Sequence, residues 1–249
     1  MGSILHSLSI SIIFLLGSLV MSVCASPRNI SIGVLYLDHY QYLDAAGPID
    51  IIGMSSTAYA GKFAPEALKA LAPVITWHYV SATYPKAMQA SSGPPSLPST
   101  DLESCPKLDY LLIPGPSPSL ILTDAEKDFI IRKSEEVEAV MSVCTAGLIL
   151  AQTGLLEGKK VCTNKVSLSG RAQAGTVPQG VHWVTDRRWI VDGKFWSTAG
   201  ITAGLDLGVQ WVRRIVGEEM LQWVKEAAEY HPNEAGGDRF SYLLTGAEL

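Results

Sequence analysis

Cys144 stands where an apolar run, residues 139–143, meets the small residues Thr145, Ala146 and Gly147. A helical apolar pattern follows at once. A thiol at that junction has two possible lives. It is a buried, inert cysteine at a strand end, or it is a nucleophile held on a sharp turn. In the second case the first amides of the following helix and its positive dipole end face the sulfur and favour the thiolate. Small residues such as Ala146 and Gly147 would let a substrate approach the backbone closely. A carboxyl lies in a comparable position earlier in the chain. Asp44, within "YLDAAGPIDII", follows the first apolar run directly. It either caps a helix start, as aspartate does well, or joins the thiol in acid–base work.

Both residues need a scaffold that brings the ends of two separate strands together. The run 30–37, "ISIGVLYL", is apolar and rich in β-branched residues, as a buried strand requires. Residues 74–82, 109–115 and 139–143 read the same way. Helical patterns fall between them. One covers 47–59, with Pro48 near its first turn. Another starts at Thr123, with Glu126 three residues on, the signature of a capping box. A third follows Cys144, and two more lie within 200–230. Strands alternating with helices imply an α/β fold, a flavodoxin-like sandwich with a mostly parallel sheet and helices on both faces. In such a sheet ligands bind beyond the carboxyl ends of the strands, where Cys144 and Asp44 both fall. Residues 181–198 differ. Their aromatic, alternating runs predict a β-hairpin turning at Asp192-Gly193. No repeat or long linker divides the chain, so residues 26–249 form a single domain.

Apolar residues make up 47% of the 249 and charged residues 17%, with a net charge of -5. That composition suits a packed globular domain, and no Lys/Arg cluster invites nucleic acid. Residues 10–25, "ISIIFLLGSLVMSVCA", are nearly all apolar but fall short of the ~20 a membrane-spanning helix needs. They end in Val23-Cys24-Ala25, a small-x-small site before Ser26. Residues 1–25 are therefore expected to be a secretory signal peptide, with a secreted mature chain and no membrane attachment after cleavage. The absence of Lys or Arg before the apolar core keeps a signal anchor as the alternative. Asn29-Ile30-Ser31 is a glycosylation sequon at the edge of a strand. Cleavage leaves Cys105, Cys144 and Cys162, which permit at most one disulfide. No Cys/His cluster has zinc-ligand spacing, and no metal is expected.

Four stretches together carry a family likeness: Asp44-x-x-x-Pro48-x-Asp50, "LLIPGP" at 111–116, "SVCTAGLILAQTGLLEGK" at 142–159, and "STAGITAGLDLG" at 197–208. The chain resembles the ThiJ/PfpI family, within the class I glutamine-amidotransferase-like superfamily. Thr145 and the last of the four stretches are most similar to its isonitrile hydratase branch. The resemblance implies that Cys144 is catalytic, that Asp44 is its carboxyl partner and that Thr145 is a supporting hydroxyl. It implies that the Gly115 amide polarises the substrate or holds water. It also implies a homodimer acting on a small molecule without a cofactor.

Many members of that family carry a histidine twenty residues after the cysteine, where this chain has Asn164. Asparagine donates and accepts hydrogen bonds but cannot serve as a base. A Cys-His hydrolase or a glyoxalase-like activity therefore loses its proton acceptor, and Asn164 is left to bind substrate alongside Gly115 and Ala146. Pro116 likewise removes an N–H where relatives have a second glycine. Of the other histidines, His39 sits on the loop after the first strand, His78 inside the second, His182 in the predicted hairpin and His231 beyond the last long helix. Trp183, Trp189 and Trp196 read as hairpin packing. The expected activity is addition of water to an isonitrile through a covalent cysteine intermediate. The alternatives are a redox-responsive or holdase-like dimer with an oxidisable cysteine, a glyoxalase, deglycase or amide hydrolase of the same family, and a fold that has lost its activity.

Overall fold

The structure is a computed structural model that describes residues 27–249; the expected signal peptide and its cleavage site lie outside the described residues. Five parallel strands form the centre: β1 (Asn29–Leu35), β2 (Val74–Val80), β3 (Tyr110–Ile113), β4 (Ala139–Ser142) and β8 (Phe195–Thr198). The order is β2-β1-β3-β4-β8, with β7 (Trp189–Asp192) antiparallel at the edge beside β8. This is the flavodoxin-like order, whose direction of travel reverses between β1 and β3.

Alternation along the strands makes the two layers. Tyr110 and Leu112 point into one apolar cluster, and Leu111 and Ile113 into the other. Met141 and Val140 divide in the same way. A strand that feeds two cores has no polar face, so these strands read as continuous apolar runs. Helix α4 (Asp124–Glu136) opens as expected: the Thr123 hydroxyl accepts from the Glu126 N–H, and the Glu126 carboxylate accepts from the Thr123 N–H.

Helix α1 (Tyr42–Met54) begins five residues before the expected 47 and ends before 59. It packs along α7 (Ala203–Ile215). Gly208 permits that approach, since a Cβ there would lie 3.0 Å from the Ile51 Cβ. The early start puts Pro48 inside the helix. With no N–H, Pro48 cannot bond the carbonyl four residues back, which belongs to Asp44. The first turn of α1 is thus loosened at Asp44.

The expected hairpin is shorter than 181–198. Only β7 and β8 form it, turning at Gly193 with φ +60°. His182 and Trp183 form β6 (His182–Trp183), which pairs in parallel with β5 (Lys160–Val161) in a separate two-stranded sheet. Period-two patterning marks a strand but does not name its partner. Two single-turn helices, α2 (Ala60–Phe63) and α3 (Glu66–Lys69), lead into β2; α5 (Ala146–Leu150) follows Cys144, α6 (Lys165–Gln173) follows Asn164, and α8 (Glu218–Ala227) precedes an irregular C-terminal segment. Among the described residues, no helix is long and apolar enough to cross a membrane.

Candidate active site

Cys144 has φ +61°, a left-handed conformation that is uncommon for a residue with a side chain. Such strain persists only where the surroundings over-determine it. Here they do. The Cys144 carbonyl accepts from the Asn164 N–H at 3.1 Å and from the Thr163 hydroxyl at 2.7 Å. Upstream, the Val143 N–H donates to the Ile113 carbonyl at 3.0 Å. The turn is held from both sides, and it presents the sulfur beyond the carboxyl ends of β3 and β4.

Three elements meet at that sulfur. From the elbow itself, the Thr145 N–H donates to it. From the start of α6, Asn164 Nδ2 donates to it at 3.4 Å. From the first turn of α1, the Asp44 carboxyl is its hydrogen-bonding and electrostatic partner. Asn164 has no freedom to turn over, because its Oδ1 accepts from the Ser167 N–H at 3.0 Å and caps α6. The amide is locked as a donor toward sulfur.

Asp44 is fully buried and does not cap its helix; the N-cap is Gln41. Its Oδ2 instead accepts from the Gly115 N–H at 3.0 Å. The Gly115 carbonyl in turn accepts from the Gln41 N–H at 2.8 Å, so two bonds clamp the loop after β3 to the start of α1. The loop runs so close that a Cβ on Gly115 would fall 2.4 Å from Thr145 Oγ1 and 2.8 Å from Asp44 Oδ2. Only glycine fits. The Thr145 hydroxyl donates to the Pro116 carbonyl at 2.6 Å and fixes the loop from the other side. Asp44 Oδ1 is buried with no hydrogen bond of good geometry among the described residues. A carboxylate left in that condition holds a proton strongly. Burial accordingly pushes the Asp44 carboxyl up to about 7, against smaller opposing contributions from Gly115 and Cys144.

The thiol departs from expectation. Cys144 is 5% exposed, and burial together with the Asp44 charge pushes it up to about 12. The donors Asn164 and Thr145 oppose this without outweighing it. A helix N-terminus lowers a thiol pKa where solvent reaches the sulfur; here α5 is five residues long and desolvation dominates. The resting site is therefore a neutral thiol beside a carboxyl that titrates near neutrality, not a standing thiolate.

Cys144, Asp44, Thr145, Gly115 and Asn164 thus come together. Ala146 does not face the site. Its side chain is in the core, and its N–H is bonded to the Val143 carbonyl at 3.1 Å. Nor is Gly147 a substrate platform, for it packs against the Cys162 carbonyl. The Gly115 amide is engaged by Asp44 rather than free for substrate. His39 is solvent-exposed beside Asp38, and His78 lies in β2 with its charged form disfavoured by burial and by Lys133. Among the described residues, no histidine bonds the Cys144 sulfur. Among the described residues, Cys105, Cys144 and Cys162 are buried and form no disulfide. Trp183 and Trp196 pack in the core, and Trp196 carries Arg214 over its ring. Sequence reasoning missed Thr163, which clamps the elbow from the position before Asn164.

Comparison with known proteins places the chain. The DJ-1/PfpI family model matches residues 66–214. An isonitrile hydratase from Pseudomonas putida is 30% identical over 205 residues, covering 82% of this chain and 79% of that protein. Among solved structures, a ThiJ/PfpI family protein from Pseudomonas syringae superposes with a TM-score of 0.64 at 21% identity, over 84% of this chain and 78% of that one. Drosophila melanogaster DJ-1beta gives 0.64 at 15% identity, over 83% of this chain and all of its own. With the β1/β3 switch point, the cysteine elbow and these likenesses in agreement, the chain belongs to the DJ-1/PfpI family.

Proposed function

We propose that this chain adds water to an isonitrile to give an N-substituted formamide, with Cys144 as nucleophile and Asp44 as proton carrier. One observation carries the proposal: the sulfur faces a titrating carboxyl and an amide locked as a donor, with no histidine among the described residues placed to serve a leaving amine. Amide hydrolysis expels an amine and needs a base for that step. Isonitrile hydration expels none. The 30% identical isonitrile hydratase supports the same choice.

The steps follow from the resting protonation. Asp44, as carboxylate, takes the thiol proton while sulfur bonds to the terminal carbon of the isonitrile. The carbon lone pair then takes that proton from Asp44, which leaves a thioimidate, R–N=CH–S–Cys144. Asp44, again a carboxylate, accepts a proton from water as the oxygen bonds to the same carbon, and nitrogen takes up that proton. The C–S bond breaks, and the departing sulfur stays hydrogen-bonded to Asn164 and the Thr145 amide. Loss of the hydroxyl proton returns the thiol and leaves R–NH–CHO. Thr145 acts by position, its hydroxyl anchoring the loop that carries Gly115. The same proposal takes the protein as a homodimer, which light scattering checks.

Oxidation sensing needs an accessible thiol of low pKa. Cys144 is buried and held high, which favours the hydratase. The decisive experiment follows formamide production from cyclohexyl isonitrile by NMR. Wild type should turn it over and Cys144→Ala should not. Equal rates in the two proteins would overturn the proposal.

A further inference from the structure

A cleft of about 240 Å³ opens beside the candidate site. Asn164 belongs to both: it lines the cleft and donates to the Cys144 sulfur. The remaining wall is largely carbon, from Val166, Ala199, Ile201, Phe240 and Leu243. Three charged residues also line it, and each is already paired. Lys165 and Asp238 meet at 2.5 Å with both side chains buried, and Arg188 bonds Asp206 at 2.8 Å. The cleft thus offers no spare charge to a ligand.

One wall of this cleft is built by the C-terminal segment, beyond the residues matched to the family model. That segment is tied across the domain. The Arg188 N–H donates to the Ala235 carbonyl at 2.8 Å, and the Asp238 N–H to the Asp186 carbonyl at 3.1 Å. The buried Lys165–Asp238 pair joins it to the first turn of α6, directly after Asn164. Removing one partner of such a pair leaves an uncompensated buried charge, so the segment is firmly held. Phe240 and Leu243 are carried on it over the cleft.

We infer that this cleft receives the N-substituent of the substrate, that the substituent is neutral and apolar, and that Phe240 and Leu243 on the C-terminal strap set its size. The inference rests on the hydratase proposal for the reacting group, but its test does not. Cys144 is alkylated with N-methyl- and with N-cyclohexyl-iodoacetamide at pH 9.5, and the ratio of second-order rates is compared with that of free N-acetylcysteine. A filled apolar pocket should favour the cyclohexyl reagent roughly tenfold. Phe240→Ala, which opens the wall, and Val166→Trp, which fills the cleft, should each bring the ratio back toward the free-thiol value. Both positions are exposed, at 53% and 64%, so neither change threatens folding. A wild-type ratio equal to that of free thiol, or ratios in both variants equal to wild type, would overturn the inference. Size selection without any isonitrile turnover would defeat the hydratase proposal and leave the cleft assignment standing.

Discussion

Asn164 and Cys144 are joined in two ways: the Asn164 N–H bonds the Cys144 carbonyl at 3.1 Å and its Nδ2 donates to the Cys144 sulfur at 3.4 Å, while its Oδ1 is spent capping α6. Asn164 is therefore no passive side chain. It holds the elbow's backbone and offers the sulfur a hydrogen bond without offering it a base.

Asn164→Ala should show both roles. Loss of the cap should cost about 1 kcal/mol of stability, read as a lowered Tm. Loss of a donor to a sulfur that becomes charged should slow hydration by roughly 10- to 100-fold, from the 1.5–3 kcal/mol typical of such bonds. Unchanged kcat in a folded Asn164→Ala protein would show that the bond has no catalytic weight. Asn164→His should do little for hydration, because no leaving amine awaits a proton.

Asp44→Asn should move two measurements in opposite directions. Hydration should fall by about 10²–10⁴, the usual contribution of a general acid–base group. Alkylation of Cys144 by iodoacetamide at fixed pH should accelerate, because the Asp44 charge helps to hold the thiol up near 12. A damaged fold would also expose the buried thiol and speed its alkylation, so the Tm of Asp44→Asn must stay at or above that of wild type for the reading to hold.

Activity should follow the proton that Asp44 must accept. Below about pH 7 the carboxyl is protonated and cannot take the thiol proton. The kcat/KM profile should therefore rise through pH ~7 to a plateau and decline only as the thiol, near 12, is lost. Alkylation of Cys144 should keep climbing beyond pH 9 with no plateau. A plateau reached below pH 8.5 would restore the thiolate expected of a solvent-reached helix N-terminus.

N-terminal sequencing of protein from its native host should find a mature chain beginning at or near Ser26. An intact Met1 would overturn the secretion expected from residues 1–25.

Much of the fold was legible because its signals are local. The capping box at Thr123 and Glu126 is written in four consecutive residues, and the apolar runs of β1, β3 and β4 owe their continuity to burial on both faces. The start of α1 was missed because its N-cap, Gln41, makes no side-chain bond to announce it. His182 and Trp183 were placed in a hairpin because alternation says nothing about the partner strand. At the site, the family resemblance pointed to Cys144, Asp44, Thr145, Gly115 and Asn164, which the structure brings together, and to Ala146, whose side chain lies in the core. The thiol's pKa came out with the wrong sign, because a helix terminus is visible in sequence and the depth at which the sulfur is buried is not. The C-terminal strap was invisible for the same reason: the pairing of Lys165 with Asp238 spans 73 residues.

The burial of the Asp44 carboxyl has a consequence for how this protein tolerates change. An acid whose folded pKa stands above its unfolded value penalises the folded state. The penalty is absent below about pH 4, grows as pH rises toward 7, and is complete above that. A displacement of about three pKa units corresponds to roughly 4 kcal/mol, a large share of the stability of an ordinary domain. Asp44→Asn abolishes that penalty along with the chemistry. Random libraries screened at alkaline pH for heat resistance alone should therefore gather sturdy, inert proteins that have lost Asp44, and screens for turnover should drive the carboxyl back in.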